Sequence, residues 1–172
     1  FLHGGWMHLI FNMLFLWVFG DNVEDAMGHL RYLTFYVICG IFATFSHAIM
    51  EASSQAPLIG ASGAISGVLG AYLVLHPKAR VLVLFMNIIP LRLPAIVVLG
   101  GWIGLQFLSL NSDDGTAWWA HIGGFLAGMI LVVPFRLKTV PLLDGFGRFG
   151  PDNPNVVDLA ERKHARSIFP NT

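Results

Sequence analysis

Charge is what this chain has least of: only 12% of its 172 residues are Asp, Glu, Lys or Arg, about half the share of an ordinary soluble domain. It has one cysteine, Cys39, inside an apolar run, which excludes a disulfide framework and a thiolate metal cluster. Ten basic residues balance ten acidic ones, so there is no surplus of positive charge to hold a nucleic acid. No Asp or Glu falls inside an apolar stretch; Glu51, Asp113 and Asp114 stand at the ends of such stretches. No internal repeat is visible. An initiating Met and a secretory-signal pattern are also missing. The chain opens in mid-motif at Phe1-Leu2-His3 and is expected to be an N-terminally truncated fragment.

What the sequence does have is apolar length. Hydrophobic residues make up 55% of it and the mean hydropathy is +0.68. Apolar stretches cover about 6–20, 32–50, 58–75, 93–110 and 117–135, and roughly 20 residues span a ~30 Å hydrocarbon layer. The piece 81–89 is too short to cross and is followed by Pro90, Arg92 and Pro94, so it reads as a loop or an interfacial segment. All ten Lys and Arg lie at Arg31, between Lys78 and Arg92, or from Arg136 onward. By the positive-inside rule, 21–31, 76–92 and 136–172 face the cytoplasm. Five crossings that begin outside and end inside satisfy every loop. The expected fold is therefore an all-α polytopic membrane bundle over 1–136. Residues 137–172 carry four prolines and several charges; they are expected to form a cytoplasmic tail, largely disordered, with a short helix over 156–167.

Polar groups inside spans are costly and tend to mark function. Ser62 stands in Gly60-Ala61-Ser62-Gly63-Ala64-Ile65-Ser66-Gly67. A helix starting there and ending before His76-Pro77 is ~21 Å long, too short to cross, so its N-terminus should lie ~10 Å below the outer surface. A serine at that point sits beside free backbone N–H groups and the positive end of the helix dipole, a setting that suits an oxyanion. The competing explanation is a small-residue packing face. His121 lies at the outer end of a helix parallel to this one. Gly63 and Gly67 on the first helix match Gly124 and Gly128 on the second as small-xxx-small faces, with Gly60 counted among the packing glycines. Close approach there would put the Ser62 hydroxyl within reach of the imidazole as nucleophile and general base.

His8 and Asn12 share a face of the first span at i, i+4, where they serve either as oxyanion donors or as a packing hydrogen bond. His3 braces a loop, His47 is structural, and His29 and His76 are solvated. No carboxylate is placed to orient His121, which points to a Ser–His dyad. Gly100-Gly101-Trp102-Ile103-Gly104 suggests looser packing of the fourth span and substrate access beside it, under a cap formed by 111–117.

At this point the chain resembles the rhomboid family of intramembrane serine proteases. The pieces that carry the likeness are His3-x4-His8-x3-Asn12, Gly20-x3-Glu24-x3-Gly28, Arg31-Tyr32, Gly60-Ala61-Ser62-Gly63 and Ala120-His121-x2-Gly124-x3-Gly128. The resemblance implies that Ser62 and His121 are the catalytic dyad and that His8 and Asn12 line the oxyanion site with the Ser62 N–H. It also implies a preference for cutting beside small side chains. The family core has six spans, so five of the six are expected here, without the first helix and first loop. Some members carry a Tyr one turn after the nucleophile, where this chain has Ser66.

The functional expectation is a serine endopeptidase that cuts transmembrane segments near their outer end. It would work in the lipid bilayer of the plasma (inner) membrane with its C-terminus in the cytoplasm, using no cofactor, no metal and no nucleic acid. A rhomboid-like protein that is catalytically weak and binds or escorts membrane clients is the alternative. A His-lined transporter or metal site is a third, weakened by the absence of HExxH and of span carboxylates.

Overall fold

A computed structural model of the chain describes residues 5–52, 58–85, 89–110 and 116–143. Its elements are α1 (Trp6–Met27), α2 (His29–Met50), α3 (Ser62–Leu75), β1 (Arg80–Phe85), β2 (Ile89–Pro94), α4 (Ala95–Leu108) and α5 (Trp118–Phe135). Helix α2 and helix α5 are long and apolar enough to cross a membrane on their own; α3 and α4 are apolar helices of 14 residues each. Helix α1 runs on past its apolar stretch through Asp21, Glu24 and Asp25 before Gly28, in the left-handed region at φ +82°, turns the chain into α2.

Neighbouring side chains fix the direction of each helix. His8 lies beside Gly60 and Phe19 beside Tyr72, so α1 and α3 are parallel. Ala43 meets Gly63, Cys39 meets Gly67 and Phe35 meets Phe135, so α2 is antiparallel to α3 and α5. Helix α4 is likewise antiparallel to α5, with Trp102 against Phe125. Among the described residues all Lys and Arg sit at one end of this bundle, at the start of α2, on the hairpin and its approach, and after α5. Ser62, the first residue of α3, and His121, in the first turn of α5, lie at the other end.

Helix α3 is the axis of the bundle: Ala64 through Tyr72 are all buried, as is Leu75. The outer helices turn bulky apolar side chains outward, among them Trp17, Phe45, Leu108 and Ile130. An apolar exterior around a small-residue interior is the arrangement lipid calls for. Burial from water contributes nothing to association between helices already in hydrocarbon, so close packing and hydrogen bonds must hold them. Packing is closest between α3 and α5. A Cβ added to Gly124 would strike the Gly63 carbonyl, and one added to Gly128 would strike that of Gly67. The two helices therefore touch backbone to backbone. Gly70 against the Phe125 carbonyl extends the same contact, and Gly123 against Ser46 seats α5 on α2; neither glycine figured in the reading of the sequence.

The segment expected as a loop or an interfacial piece is a two-stranded antiparallel hairpin, pairing Arg80 with Pro94 through to Phe85 with Ile89. The β-branched and Leu-rich run at 81–84 favours strand, and Pro90 and Pro94 are tolerated because both strands of a two-stranded sheet are edges. The approach to the hairpin caps α4: Ala95 N donates to Ala79 O and Ile96 N to Pro77 O. After α5, Leu137 N donates to Ala26 O and Leu143 N to Val74 O, so residues 137–143 close the carbonyl ends of α1 and α3. The expected helix over 156–167 and the rest of the tail lie outside the described residues.

If the α3–α5 contact carries the bundle, Gly128→Leu should lower stability by at least the ~1–3 kcal/mol of core overpacking. Gly101→Leu, whose Cβ meets nothing, should leave it within about 0.5 kcal/mol. Thermal unfolding of both variants in detergent checks this; equal midpoints would contradict it.

Candidate active site

Ser62 is the first residue of α3, where helix N–H groups lack intrahelical acceptors. Its Oγ lies 2.9 Å from His121 Nε2, a direct hydrogen bond between residues 59 apart in sequence. The two helices that carry them are held in register by the Gly63–Gly124 and Gly67–Gly128 contacts, which lie about one and two turns beyond His121 along α5. Any side chain at Gly124 would push α5 away and open the Ser–His bond.

Gly60 has a different place from the one expected. It lies two residues before α3, outside the helix seam, at φ +113°. A Cβ there would meet His8 Cε1 at 2.8 Å and Nε2 at 2.9 Å, and Ser62 Oγ at 3.7 Å. This glycine therefore serves the site twice, by taking a conformation closed to L side chains and by leaving room for the His8 imidazole beside Ser62. Of the five glycines expected to pack helices, the other four, Gly63, Gly67, Gly124 and Gly128, do so.

Asn12, only 5% exposed, donates its Nδ2 to the His8 carbonyl at 2.9 Å. Together with His8 it lines a cavity of about 130 Å³ whose walls also include Ser66 and Trp102. Ser66 donates to the Ser62 carbonyl at 2.7 Å, which satisfies its hydroxyl within α3. His47 stands apart, its Nδ1 4.0 Å from Glu51 Oε2. His29 is exposed and pairs with Glu24, and His76 stacks edge-on against Tyr72. His3 and 111–115 lie outside the described residues. Among the described residues no group of three His, Cys, Asp or Glu is arranged to hold a metal ion.

Three side chains around His121 were not anticipated. Trp102 and Trp118 flank the imidazole, with ring centroids 5.9 Å and 6.3 Å away. Gln106, near the end of α4, places Oε1 2.8 Å from His121 Nδ1. A signal for it was present: Gln106 is the one polar side chain in α4, an otherwise apolar helix.

A serine at a helix N-terminus is thus bonded to a histidine on a parallel helix across a glycine seam. Residues 1–138 match the family model for the Rhomboid domain. The chain belongs to the rhomboid family. It is 35% identical to Rhomboid protease GluP of Bacillus subtilis (strain 168), over 98% of this chain and 34% of that protein. It is 32% identical to RHOMBOID-like protein 5 of Arabidopsis thaliana, over 96% of this chain and 49% of that protein. Rhomboid protein 1, mitochondrial, of Saccharomyces cerevisiae is 30% identical over 76% of this chain and 38% of that protein. The chain thus spans half or less of the length of these rhomboid relatives. No solved structure matches it.

Proposed function

We propose that this rhomboid chain is an intramembrane serine endopeptidase in which Ser62 is the nucleophile and His121 the general base. The observation that carries the reading is the 2.9 Å bond between Ser62 Oγ and His121 Nε2. In the reaction, His121 Nε2 takes the hydroxyl proton as Ser62 Oγ attacks a peptide carbonyl. The tetrahedral oxyanion then lies at the N-terminus of α3, next to the Ser62 N–H, with the Asn12 amide and the His8 imidazole as further donors. Collapse of the intermediate breaks the C–N bond and leaves an acyl-Ser62 ester, and His121 returns the proton to the leaving amine. Water, activated by the same histidine, then hydrolyses the ester.

The depth of the site defines the substrate class. In a spanning helix each backbone carbonyl is hydrogen-bonded and sheathed by side chains, so Ser62 attacks only where a short stretch has unwound. Helix-weakening Gly or Pro in the outer part of a substrate span lowers the cost of unwinding. Access beside α4 is supported by Gly100, Gly101 and Gly104, where an added Cβ would meet no atom within 4 Å. The preference for a small side chain at the cut rests on membership of the family.

The distribution of Lys and Arg supports an orientation with Ser62 toward the outside and the C-terminus in the cytoplasm. It suits a plasma (inner) membrane, whereas one of the relatives is named as mitochondrial. Residues 1–136 form the catalytic core in this reading, and the segment from 137 onward is a cytoplasmic extension.

Cleavage of a reporter transmembrane substrate by the protein in liposomes tests the assignment. Ser62→Ala and His121→Ala should each abolish turnover while membrane insertion is kept. Near-native turnover by His121→Ala would reject the dyad. Binding of the reporter by wild type without cleavage would favour the client-binding alternative. Asn12→Ala should slow turnover by a factor on the order of 10 to 10³, the usual loss for an oxyanion donor. An unchanged rate would confine Asn12 to its bond with the His8 carbonyl. Replacing the Gly and Pro residues of the reporter span with Leu should suppress cleavage, and equal cleavage would refute the unwinding requirement.

A further inference from the structure

We infer that Gln106 is a positioning residue for this chemistry, holding His121 with its proton on Nδ1 and its Nε2 lone pair on Ser62. The inference rests on the Ser62–His121 reading and adds a third member to it.

A neutral imidazole carries one proton, on either nitrogen, and only the form with Nε2 unprotonated accepts from Ser62. The partner at Nδ1 selects the form. Gln106 Oε1 can only accept, so at 2.8 Å it requires a proton on Nδ1. Which end of the amide faces the ring is settled by the other end. Gln106 Nε2 donates to the Trp102 carbonyl on its own helix at 3.4 Å, so the oxygen is turned to His121. The reversed amide would set an N–H against Nδ1 and its own oxygen against the Trp102 carbonyl oxygen, two acceptors face to face. That places the imidazole proton on Nε2 and removes the base.

Burial makes the choice binding. Gln106 is only 5% exposed, Trp102 and Trp118 flank the ring, and a buried amide oxygen without a donor costs ~1–3 kcal/mol. An amide also suits the membrane better than the carboxylate of a triad. It orients the ring without a buried charge that would need its own complement of partners. Since Gln106 is on α4 and His121 on α5, the competent form of the base depends on α4 being seated.

The test uses the protein in liposomes with the reporter substrate, together with 15N spectra of labelled histidine in which His121 is assigned by its loss in His121→Ala. Wild type should show Nδ1 protonated and Nε2 unprotonated. Gln106→Met, similar in length but without the amide oxygen, should lower kcat about 10- to 100-fold at nearly constant KM, with the His121 signals moving toward a mixture of the two forms. Gln106→Glu, which keeps an oxygen at the same reach, should recover most of the rate. A proton on Nε2 in wild type, or an unchanged kcat in Gln106→Met, would overturn the role of Gln106 and leave the dyad standing. Full turnover by Ser62→Ala would instead remove the dyad on which the inference is built. If Gln106→Met fails to fold, the wild-type spectrum alone decides.

Discussion

Everything in this site depends on how closely two parallel helices approach. Ser62 begins α3 and His121 lies in the first turn of α5, and a single hydrogen bond between them requires the two helices to run side by side in fixed register. In lipid no hydrophobic force drives such helices together. The contact is made instead by removing side chains. Gly124 sits on the Gly63 carbonyl and Gly128 on that of Gly67, so the backbones themselves are the packing surfaces. The same glycines that bring the helices together also set their register, since no other alignment leaves each carbonyl facing a bare Cα. Helix packing and the Ser62–His121 geometry are one feature here.

Around that seam the polar groups form a short chain with no formal carboxylate. Ser66 closes on the Ser62 carbonyl, Ser62 meets His121, and His121 meets Gln106, which in turn bonds the Trp102 carbonyl. Neutral partners can be buried at the cost of a few hydrogen bonds, whereas an ionised group would demand a full set of them. Asn12 and His8 follow the same rule on the α1 side, where Gly60 gives up its side chain so that the imidazole can lie next to Ser62. Three elements thus supply the site to α3, and none of them does so through a carboxylate.

The sequence made some of this visible and hid the rest for identifiable reasons. Apolar length and the one-sided placement of Lys and Arg marked the helices and their alternation. The pair Pro77 after His76 and Gly60-Ala61 before Ser62 bounded α3 at the residues observed, Ser62–Leu75. The glycine spacing named the faces that meet. Hidden was what depends on contacts between distant segments. Gly60 was counted among the glycines that pack helices, yet its φ of +113° takes it out of the helix altogether. The hairpin was obscured because its two prolines read as loop, although a two-stranded sheet has only edges. Gln106 went unnoticed because a search for an orienting group looked for carboxylates. The rule that a lone polar residue in an apolar helix marks function would have found it.

The central claim is that Ser62 is a nucleophile activated by His121, and the most direct measurement is chemical. The protein in its membrane is treated with a fluorophosphonate, and the modified residue is mapped by mass spectrometry in wild type and in His121→Ala. The account predicts covalent modification of Ser62 in wild type and a large loss of it when His121 is removed. Modification of another serine, or equal modification of Ser62 with and without His121, would contradict it.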